Sequence, residues 1–249
     1  MDLPIGIDFG GTGIKGAPVD LTLGDFAAPR RKVPTPKPAT PEAVAQVLSE
    51  ILAGFDDCTG GVGVTIPGVV RRGVVHTAAN IDASWIGTDA DALLTERLGR
   101  DVHVLNDADA AGLAEVRYGA AQGADGLVVV TTLGTGIGSA LLHDGHLIPN
   151  SELGHVPLEG MAAEKWAANS VRERDSLEWA QWAARLTSYY RLIEDLLTPD
   201  LFVVGGGVSG SWSSFGHLID IRTPIVPAQL RNRAGIVGAA LAARTPTHA

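Results

Sequence analysis

A short strand that is broken by a glycine-rich turn and continued by a second strand occurs twice in this sequence. The first copy spans residues 5–19 around Gly10-Gly11-Thr12-Gly13, and the second spans residues 126–142 around Gly134-Thr135-Gly136-Ile137-Gly138. Apolar runs separated by such a turn are typical of β-hairpins. Two of them, each with helical segments attached, predict an α/β protein whose architecture is internally duplicated.

Composition excludes several classes of protein. The 249 residues are 45% hydrophobic with 31 glycines, which fits a globular chain rich in tight turns. A net charge of −9 argues against general attraction to nucleic acid or to a membrane surface. Cys58 is the only cysteine, so an intrachain disulfide and a zinc site built on clustered cysteines are excluded. Because neither a signal sequence nor an apolar run of membrane-spanning length is recognisable, a cytoplasmic protein is expected.

Hydrophobic periodicity predicts the remaining elements. The predicted strands are 28–33, 61–66, 102–105 and 201–204, with a small hairpin at 69–76. The predicted helices begin at Pro41, after an N-cap at Thr40, and at Asp107, and cover 89–98, 176–197 and 233–243, with one helical turn around 162–168.

The first glycine turn is a candidate phosphate site. Glycine allows backbone N–H groups to approach an anionic oxygen closely, and Gly10, Gly11, Thr12 and Gly13 would supply such groups. Asp8, at the end of the preceding strand, is a candidate to hold Mg²⁺ through water, and Lys15 is a candidate to neutralise phosphate. The alternative is an ordinary hairpin turn beside a surface lysine.

The second turn, at Gly134, Thr135 and Gly136, could contact the other side of a phosphate chain. A third glycine segment, Gly205-Gly206-Gly207, follows a predicted strand and would allow a base or a phosphate to lie against the backbone. An ordinary turn is the alternative for each segment. Recurrence within one chain makes that alternative weaker.

Two groups of polar residues are candidates for substrate binding. Asn106 and Asp107 lie where a predicted strand ends and a helix begins, so the Asp107 carboxylate either caps the helix or faces a substrate. Glu152 and His155, with Glu164 a little later, could form hydrogen bonds with sugar hydroxyls. The alternatives are an exposed glutamate and a histidine that is buried or binds a metal.

These motifs together resemble the ROK family (repressors, open reading frames and sugar kinases), within the actin-like, hexokinase-like ATPase superfamily. The segments that carry the resemblance are FGGTGIKGAPVD, NIDASW, NDADAAGLAEVRYGA and ELGH followed by AEKWAA, and they resemble most the polyphosphate glucokinases of actinobacteria. The resemblance implies ribonuclease H-like duplicated domains around a central cleft. The small lobe would comprise residues 1–107 with the helix 233–249, and the large lobe residues 108–232.

The resemblance also implies an activity, the transfer of a phosphoryl group from polyphosphate or ATP, with Mg²⁺, to the 6-hydroxyl of glucose. Asp107 would be the general base. The implied sugar contacts are Asn80, Asn106, Asp107, Glu152, His155 and Glu164. The implied donor contacts are Asp8, Gly10, Gly11, Thr12, Gly13, Lys15, Gly134, Thr135, Gly136, Gly205, Gly206 and Gly207.

This sequence departs from the family pattern at one place. Many members hold a structural zinc with a histidine at the position of His155 and a cysteine cluster just after it. Here the segment is Val156-Pro157-Leu158-Glu159-Gly160, without cysteine, so no zinc is expected and His155 is expected to contact the sugar.

Several alternatives stay open. The enzyme could be a strictly ATP-dependent hexokinase that acts on glucose or mannose. It could also be a sugar kinase for another hexose, such as mannose or N-acetylmannosamine. A sugar-sensing regulator is less expected, because the repressors of this family carry a helix-turn-helix segment before the first strand and here that strand begins near residue 3. The resemblance implies a homodimer, with the helix after Ser176 and its residues Trp179, Trp182, Tyr189 and Tyr190 either at the interface or in the core.

A path for polyphosphate would need a basic groove. The candidates for its lining are Lys15, Arg30, Arg31, Lys32, Arg71, Arg72, Lys165 and Arg172. Scattered surface charge is the alternative.

Overall fold

A computed structural model describes residues 2–243. The chain divides into two compact units, of which the first comprises Met1–Ala110 with Arg233–Ala249 and the second Ala111–Asn232. The division falls inside the helix that begins at Asp107. Residues 244–249, which the family resemblance assigns to the last helix, lie outside the described residues.

Both halves of the chain contain strands and helices, as the sequence predicts. Up to Tyr118 they are β1 (Ile5–Phe9), β2 (Gly13–Asp20), β3 (Asp25–Phe26), β4 (Arg31–Pro34), α1 (Pro41–Leu52), β5 (Val62–Ile66), β6 (Val70–Arg71), β7 (Val74–Val75), α2 (Ala90–Leu98), β8 (Val102–Asn106) and α3 (Asp107–Tyr118). Beyond it they are β9 (Leu127–Leu133), β10 (Ile137–His143), β11 (His146–Ile148), β12 (Pro157–Leu158), β13 (Met161–Ala162), α4 (Glu164–Ala167), α5 (Asn169–Arg174), α6 (Trp179–Leu197), β14 (Leu201–Gly205), α7 (Trp212–Phe215), β15 (Ile225–Pro227) and α8 (Ala234–Ala242). Within residues 2–243, no helix is both long and apolar enough to span a bilayer.

The first unit is built on a six-stranded mixed sheet in the order β3-β2-β1-β5-β8, in which β4 also pairs with β2. Strand β1 runs antiparallel to β2 and parallel to β5, and β5 runs parallel to β8. The carboxyl ends of three parallel strands therefore meet at one edge, where side chains that follow the strands can act together.

Helices cover both faces of this sheet. On one face Gly16 of β2 leaves room for the side chain of Ile51 of α1. On the other face α8 approaches so closely that a Cβ on Gly6 would overlap the carbonyl oxygen of Ile236. The apolar stripe of α1, with Thr40 as N-cap accepting a hydrogen bond from the backbone N–H of Ala43, is as the sequence predicts.

The second unit repeats the arrangement with a five-stranded sheet in the order β11-β10-β9-β14-β15. Strand β9 is antiparallel to β10 and parallel to β14. Helix α6 lies on this sheet and buries Trp182, Tyr189 and Tyr190 completely. These three residues are therefore core residues, and the suggestion that they form an oligomer interface is wrong.

Short elements differ most from the sequence prediction. The strand predicted at 28–33 corresponds to β4, Arg31–Pro34, and the sequence patterns predict neither β3 nor α5. The edge strands β11 and β15 have three residues each and carry no alternation of their own that could reveal them. They form because a neighbouring strand offers free backbone groups.

Two adjacent tyrosines in α6 allow a matched test of how buried hydroxyls affect the stability of the hydrophobic core in the second unit. The Tyr190 hydroxyl forms a 2.7 Å hydrogen bond with Oγ1 of buried Thr131. The Tyr189 hydroxyl is buried and has no hydrogen-bond partner within residues 2–243. Burial raises the pKa of both phenols, so both are neutral.

We expect Tyr190→Phe to lower the free energy of unfolding by about 1 kcal/mol, because it leaves the Thr131 hydroxyl without its partner. Tyr189→Phe removes a polar group that already lacks a partner, so we expect unchanged or higher stability, by up to about 1 kcal/mol. Urea denaturation of both variants beside the wild type measures the difference. Equal destabilisation by the two substitutions would contradict the expected difference between the two hydroxyls.

Candidate active site

The first glycine turn joins β1 to β2 in the first unit. The Gly10 N–H donates to the carbonyl oxygen of Gly13 at 3.2 Å, which closes the turn. Within residues 2–243 the N–H groups of Gly11 and Thr12 have no acceptor. Thr35, which follows β4, donates its hydroxyl hydrogen to the Gly10 carbonyl oxygen at 2.6 Å. The carbonyl oxygens of Gly10 and Gly13 are thus engaged, whereas the N–H groups of Gly11 and Thr12 are available.

Asp8 stands at the centre of a row of polar side chains on this sheet. Strand pairing places it opposite Lys15 on one side and opposite Thr65 on the other, and Lys15 lies opposite Lys32. Residues directly opposite each other point to the same face of a sheet. Lys15 Nζ and Thr65 Oγ1 each lie 3.4 Å from a carboxylate oxygen of Asp8. The row therefore brings two cations and one carboxylate to the strand ends beside the turn.

Lys32 extends from this row towards the turn. Its Cε lies 3.1 Å from the position that a Cβ on Gly13 would occupy, so the lysine stem covers the glycine. Within the described residues Lys32 has no acidic partner, whereas Lys15 is paired with Asp8. Arg31 is one residue away and belongs to the opposite face, where its guanidinium contacts the Glu50 carbonyl oxygen at the end of α1.

Asn106, not Asp107, provides the N-terminal cap of α3. The Asn106 Oδ1 accepts hydrogen bonds from the backbone N–H groups of Ala108 at 2.8 Å and Asp109 at 3.1 Å. The Asn106 Nδ2 donates to the Gly68 carbonyl oxygen at 3.1 Å, which leaves one amide hydrogen for a ligand. The Asp107 carboxylate also accepts from Ala108, at 2.9 Å, and is partly exposed. The capping role that competed with a chemical role for Asp107 is thus filled by its neighbour.

Asn80 lies next to the first glycine turn. A Cβ on Gly11 would be 3.6 Å from the Asn80 Cβ, and Asn80 itself adopts a left-handed backbone with φ of 61°. Asparagine tolerates this region better than most residues. The first unit therefore brings one of the predicted sugar contacts to one of the predicted donor turns.

The second glycine turn joins β9 to β10 in the second unit. The Gly134 N–H donates to the Gly136 carbonyl oxygen at 3.0 Å. Ser170, near the start of α5, donates its backbone N–H to the Gly134 carbonyl oxygen at 3.0 Å and its hydroxyl hydrogen to the Thr135 carbonyl oxygen at 2.6 Å. Within residues 2–243 the N–H groups of Thr135 and Gly136 have no acceptor.

The segment Gly205-Gly206-Gly207 lies beside this turn. Gly205 is paired with Thr132 where β14 and β9 end together. Gly206 has φ of 82°, and a Cβ on it would overlap the backbone of Leu133. By contrast, a Cβ on Gly134 or on Gly207 would meet nothing within 4 Å. The second unit thus places two glycine segments side by side with open space next to each.

Glu152, His155 and Glu164 form an acidic cluster in the same unit. The His155 Nδ1 lies 3.8 Å from a carboxylate oxygen of Glu152, and Glu164 pairs with Lys165 at 3.1 Å. A Cβ on Gly136 would overlap the Glu164 carboxylate, so this glutamate is held against the second turn. Burial raises the pKa of Glu152 above its usual value, and the negative charge of Glu164 raises it further while His155 opposes the shift.

The predicted residues divide between the two units. The first unit contains Asp8, Gly10, Gly11, Thr12, Gly13, Lys15, Asn80, Asn106 and Asp107, and the second contains Gly134, Thr135, Gly136, Glu152, His155, Glu164, Gly205, Gly206 and Gly207. Sequence reasoning missed Thr65, Thr35 and Ser170, and it named Lys32 only among the candidates for the lining of a basic groove. Only Thr65 had a local signal, as the one polar residue in the apolar run Val62–Ile66.

Two of the other basic candidates are already engaged. The Arg172 guanidinium lies 4.2 Å from the ring centroid of Trp179, and Lys165 pairs with Glu164. Arg172 also donates to Asn169 at 3.0 Å. These contacts support scattered surface charge as the explanation for this part of the proposed basic groove.

Known proteins resemble this chain over almost its whole length. The ROK family matches residues 4–168. The polyphosphate glucokinase of Mycobacterium tuberculosis (strain CDC 1551 / Oshkosh) is 53% identical over 243 residues, which are 97% of this chain and 91% of the mycobacterial protein. The crystal structure of the inorganic polyphosphate/ATP-glucomannokinase from Arthrobacter sp. strain KM is 53% identical, with a TM-score of 0.93 and 98% of each chain covered.

A more distant solved structure has the same architecture. The ROK family glucokinase from Streptomyces griseus, crystallised with glucose and AMPPNP, is 26% identical, with a TM-score of 0.82 over 98% of this chain and 100% of that one. The predicted α/β fold of the hexokinase-like ATPase class is confirmed by these neighbours. With two thirds of its residues matched by the family and a relative more than half identical, the chain belongs to the ROK family.

Proposed function

We propose that this protein is a polyphosphate-dependent glucokinase, which transfers the terminal phosphoryl group of inorganic polyphosphate to the 6-hydroxyl of glucose and forms glucose 6-phosphate. The observation that carries the proposal is the 53% identity to a polyphosphate glucokinase together with the TM-score of 0.93 to a polyphosphate/ATP-glucomannokinase. Use of ATP as a second donor is supported by the likeness to a polyphosphate/ATP-glucomannokinase and by the open space at Gly207. Mannose as a second acceptor is supported by the glucomannokinase likeness.

In this proposal Asp107 is the general base. Its carboxylate lies in the first turn of α3, where the positive end of the helix favours a negatively charged side chain. It would take the proton of the sugar hydroxyl while that oxygen bonds to the terminal phosphorus and the bond to the bridging oxygen breaks, releasing the shortened polyphosphate. Phosphoryl transfer otherwise depends mainly on alignment and on neutralisation of spreading charge.

The hexose would be bound by Asn80, Asn106, Glu152, His155 and Glu164, besides Asp107. Vicinal hydroxyls need paired donors and acceptors, and carboxylates, amides and an imidazole supply both. The remaining amide hydrogen of Asn106 and the partly buried Glu152 fit such contacts.

The donor would lie against the two glycine turns and the segment Gly205–Gly207. Backbone N–H groups of Gly11, Thr12, Thr135 and Gly136 are available to its phosphate oxygens, and Lys15 and Lys32 add positive charge.

The chemistry of the donor implies Mg²⁺. In proteins Mg²⁺ keeps several waters and binds one or two carboxylates together with substrate phosphates. Asp8, a single carboxylate beside the first turn, fits this mode through water, and the ion would neutralise charge on donor oxygens. Within residues 2–243 no group of three or more His, Cys, Asp or Glu side chains forms a metal cage, and the absence of a structural zinc stays a prediction.

The family likeness also supports a homodimer, which a measurement of molecular mass in solution tests.

The role of Asp107 predicts a specific kinetic defect. In Asp107→Asn we expect kcat to fall by about 10²–10⁴-fold, because the amide cannot accept the hydroxyl proton, while the hexose dissociation constant changes by less than about threefold. Initial rates at saturating substrates and hexose titration by calorimetry measure the two quantities.

The matched control is Asp89→Asn, which alters an aspartate that caps α2 by accepting from the Ala92 N–H at 3.0 Å. We expect this variant to keep wild-type kcat. Near-normal turnover in Asp107→Asn would remove Asp107 from the proposed role.

The position of Lys32 predicts an effect on the donor. We expect the wild type to phosphorylate glucose with polyphosphate, and we expect Lys32→Gln to raise the KM for polyphosphate about three- to tenfold with little change in kcat, because a multiply charged chain loses one cation beside the turn. Arg31→Gln, on the opposite face, should leave that KM unchanged. Initial rates with polyphosphate and with ATP at saturating glucose measure both effects. Turnover with ATP alone would show the protein to be an ATP-dependent hexokinase instead.

The raised pKa of Glu152 predicts a pH dependence of hexose binding. Sugar hydroxyls donate to the ionised carboxylate, so affinity is lost as the pH falls through the Glu152 pKa. Because that pKa lies above the usual 4.5, the loss begins at a higher pH than for an ordinary glutamate. Calorimetric titration between about pH 5 and pH 7.5 tests this expectation. Glu152→Gln should bind hexose more weakly and without this dependence, and an unchanged pH profile in the variant would assign the dependence to another group.

A further inference from the structure

We propose that Thr35 and Ser170 are positioning residues, each of which fixes the peptide planes of one glycine turn so that the turn presents N–H groups to the phosphate donor. The inference rests on the proposed function for the identity of that donor. The two units use the same device, in which a hydroxyl from a distant segment donates a 2.6 Å hydrogen bond to a carbonyl oxygen of the turn.

Thr35 acts on the first turn. Its side chain is only 8% exposed, and it lies between Pro34 and Pro36, whose rings restrict the backbone. In a trans peptide unit the C=O and the following N–H point in opposite directions. Because the Gly10 carbonyl is directed at the Thr35 hydroxyl, the Gly11 N–H is directed away from it. That N–H has no acceptor within residues 2–243.

Ser170 acts on two consecutive peptide units of the second turn. Its backbone N–H holds the Gly134 carbonyl at 3.0 Å and its hydroxyl holds the Thr135 carbonyl at 2.6 Å. By the same geometry the N–H groups of Thr135 and Gly136 are directed away from Ser170. Neither of them has an acceptor in the described part of the chain.

Without the hydroxyls of Thr35 and Ser170, the orientation of the peptide planes in the two turns would be less well fixed. Glycine occupies many backbone conformations, so a peptide plane next to a glycine rotates readily. N–H groups stabilise developing charge on an oxygen best when they are already aimed at it and need no rearrangement during the reaction. A hydroxyl that engages the carbonyl on the other side of the same plane supplies this order without touching the donor.

The test compares variants that remove each hydroxyl with variants that keep it. Thr35→Val and Ser170→Ala should each lower kcat/KM for the phosphate donor about tenfold, less than complete removal of an oriented donor group costs, while the KM for glucose stays within about twofold. Thr35→Ser and Ser170→Thr should restore most of the loss. Thr223→Val serves as control, since the Thr223 hydroxyl also donates to a backbone carbonyl, that of Pro199 at 3.2 Å, outside both turns.

A purely structural role would give a different result. It would lower thermal stability and reduce the efficiency for donor and for glucose together, and it would affect Thr223→Val in the same way. That outcome, or failure of the hydroxyl-keeping variants to restore activity, would overturn the inference. The two turns are tested separately, so one variant that fails to fold does not remove the test.

A binding measurement separates this inference from the proposed function. Tripolyphosphate is titrated into the hexose-free protein by calorimetry, and we expect the dissociation constant to rise about tenfold in Thr35→Val and in Ser170→Ala. If the wild type binds tripolyphosphate but transfers no phosphoryl group from any donor, the proposed function is wrong and the ratio of binding constants still decides the inference. If the wild type does not bind tripolyphosphate, or if the variants bind it as tightly, the inference is wrong.

Discussion

The first unit depends on the contact of α8 with the sheet, in which backbone meets backbone. A Cβ on Gly6 or Gly63 would overlap a carbonyl oxygen of this helix, and a Cβ on Gly238 would overlap the carbonyl oxygen of Ala110. Dispersion forces decline steeply with distance, so this close approach buries much surface with small side chains. The helix also brings Gly235 next to Asp8, where a Cβ would lie 3.3 Å from the carboxylate carbon. The contact of α8 with the sheet therefore determines both the packing of the first unit and the surroundings of Asp8.

The two units share a backbone plan but differ in the groups that it carries. Each has a strand, a glycine turn and a second strand, and in each the turn lies near the carboxyl end of a parallel strand. Around the turn of the first unit lie a carboxylate, two lysines and Asn80. Around the turn of the second unit lie a further glycine segment and an acidic cluster. Because the backbone plan is duplicated but the side chains around each turn differ, each unit holds only part of the predicted set of site residues.

Local sequence patterns predicted those features whose cause is local. The central strands are apolar runs, Thr40 caps α1, and the turns are glycines, and the structure has all of them close to the predicted bounds. Asp107 could be recognised at a strand-to-helix junction, although the sequence alone did not show that Asn106 takes the capping role. The family likeness added roles to residues that pattern alone left ambiguous.

The features that the sequence did not reveal come from contacts between distant segments. Thr35 reaches Gly10 across 25 residues, Ser170 reaches Thr135 across 35, and Thr65 reaches Asp8 across 57. The residues that flank a serine or threonine in the sequence do not show whether its hydroxyl makes such a contact or is exposed to solvent. Likewise, Trp182 and Tyr190 have the periodicity of an apolar helical face, and only the sheet beneath them shows that this face is internal.

The position of α8 in the chain has a consequence for biosynthesis. The second unit is continuous from Ala111 to Asn232, whereas the first needs Ala234–Ala242 to cover one face of a sheet whose strands end at Asn106. At about 5–20 residues per second, a ribosome needs roughly 6–24 s to add the 122 residues of Ala111–Asn232 that lie between them. During that interval the amino-terminal sheet is exposed on the face that α8 will occupy, so the half made first is completed last.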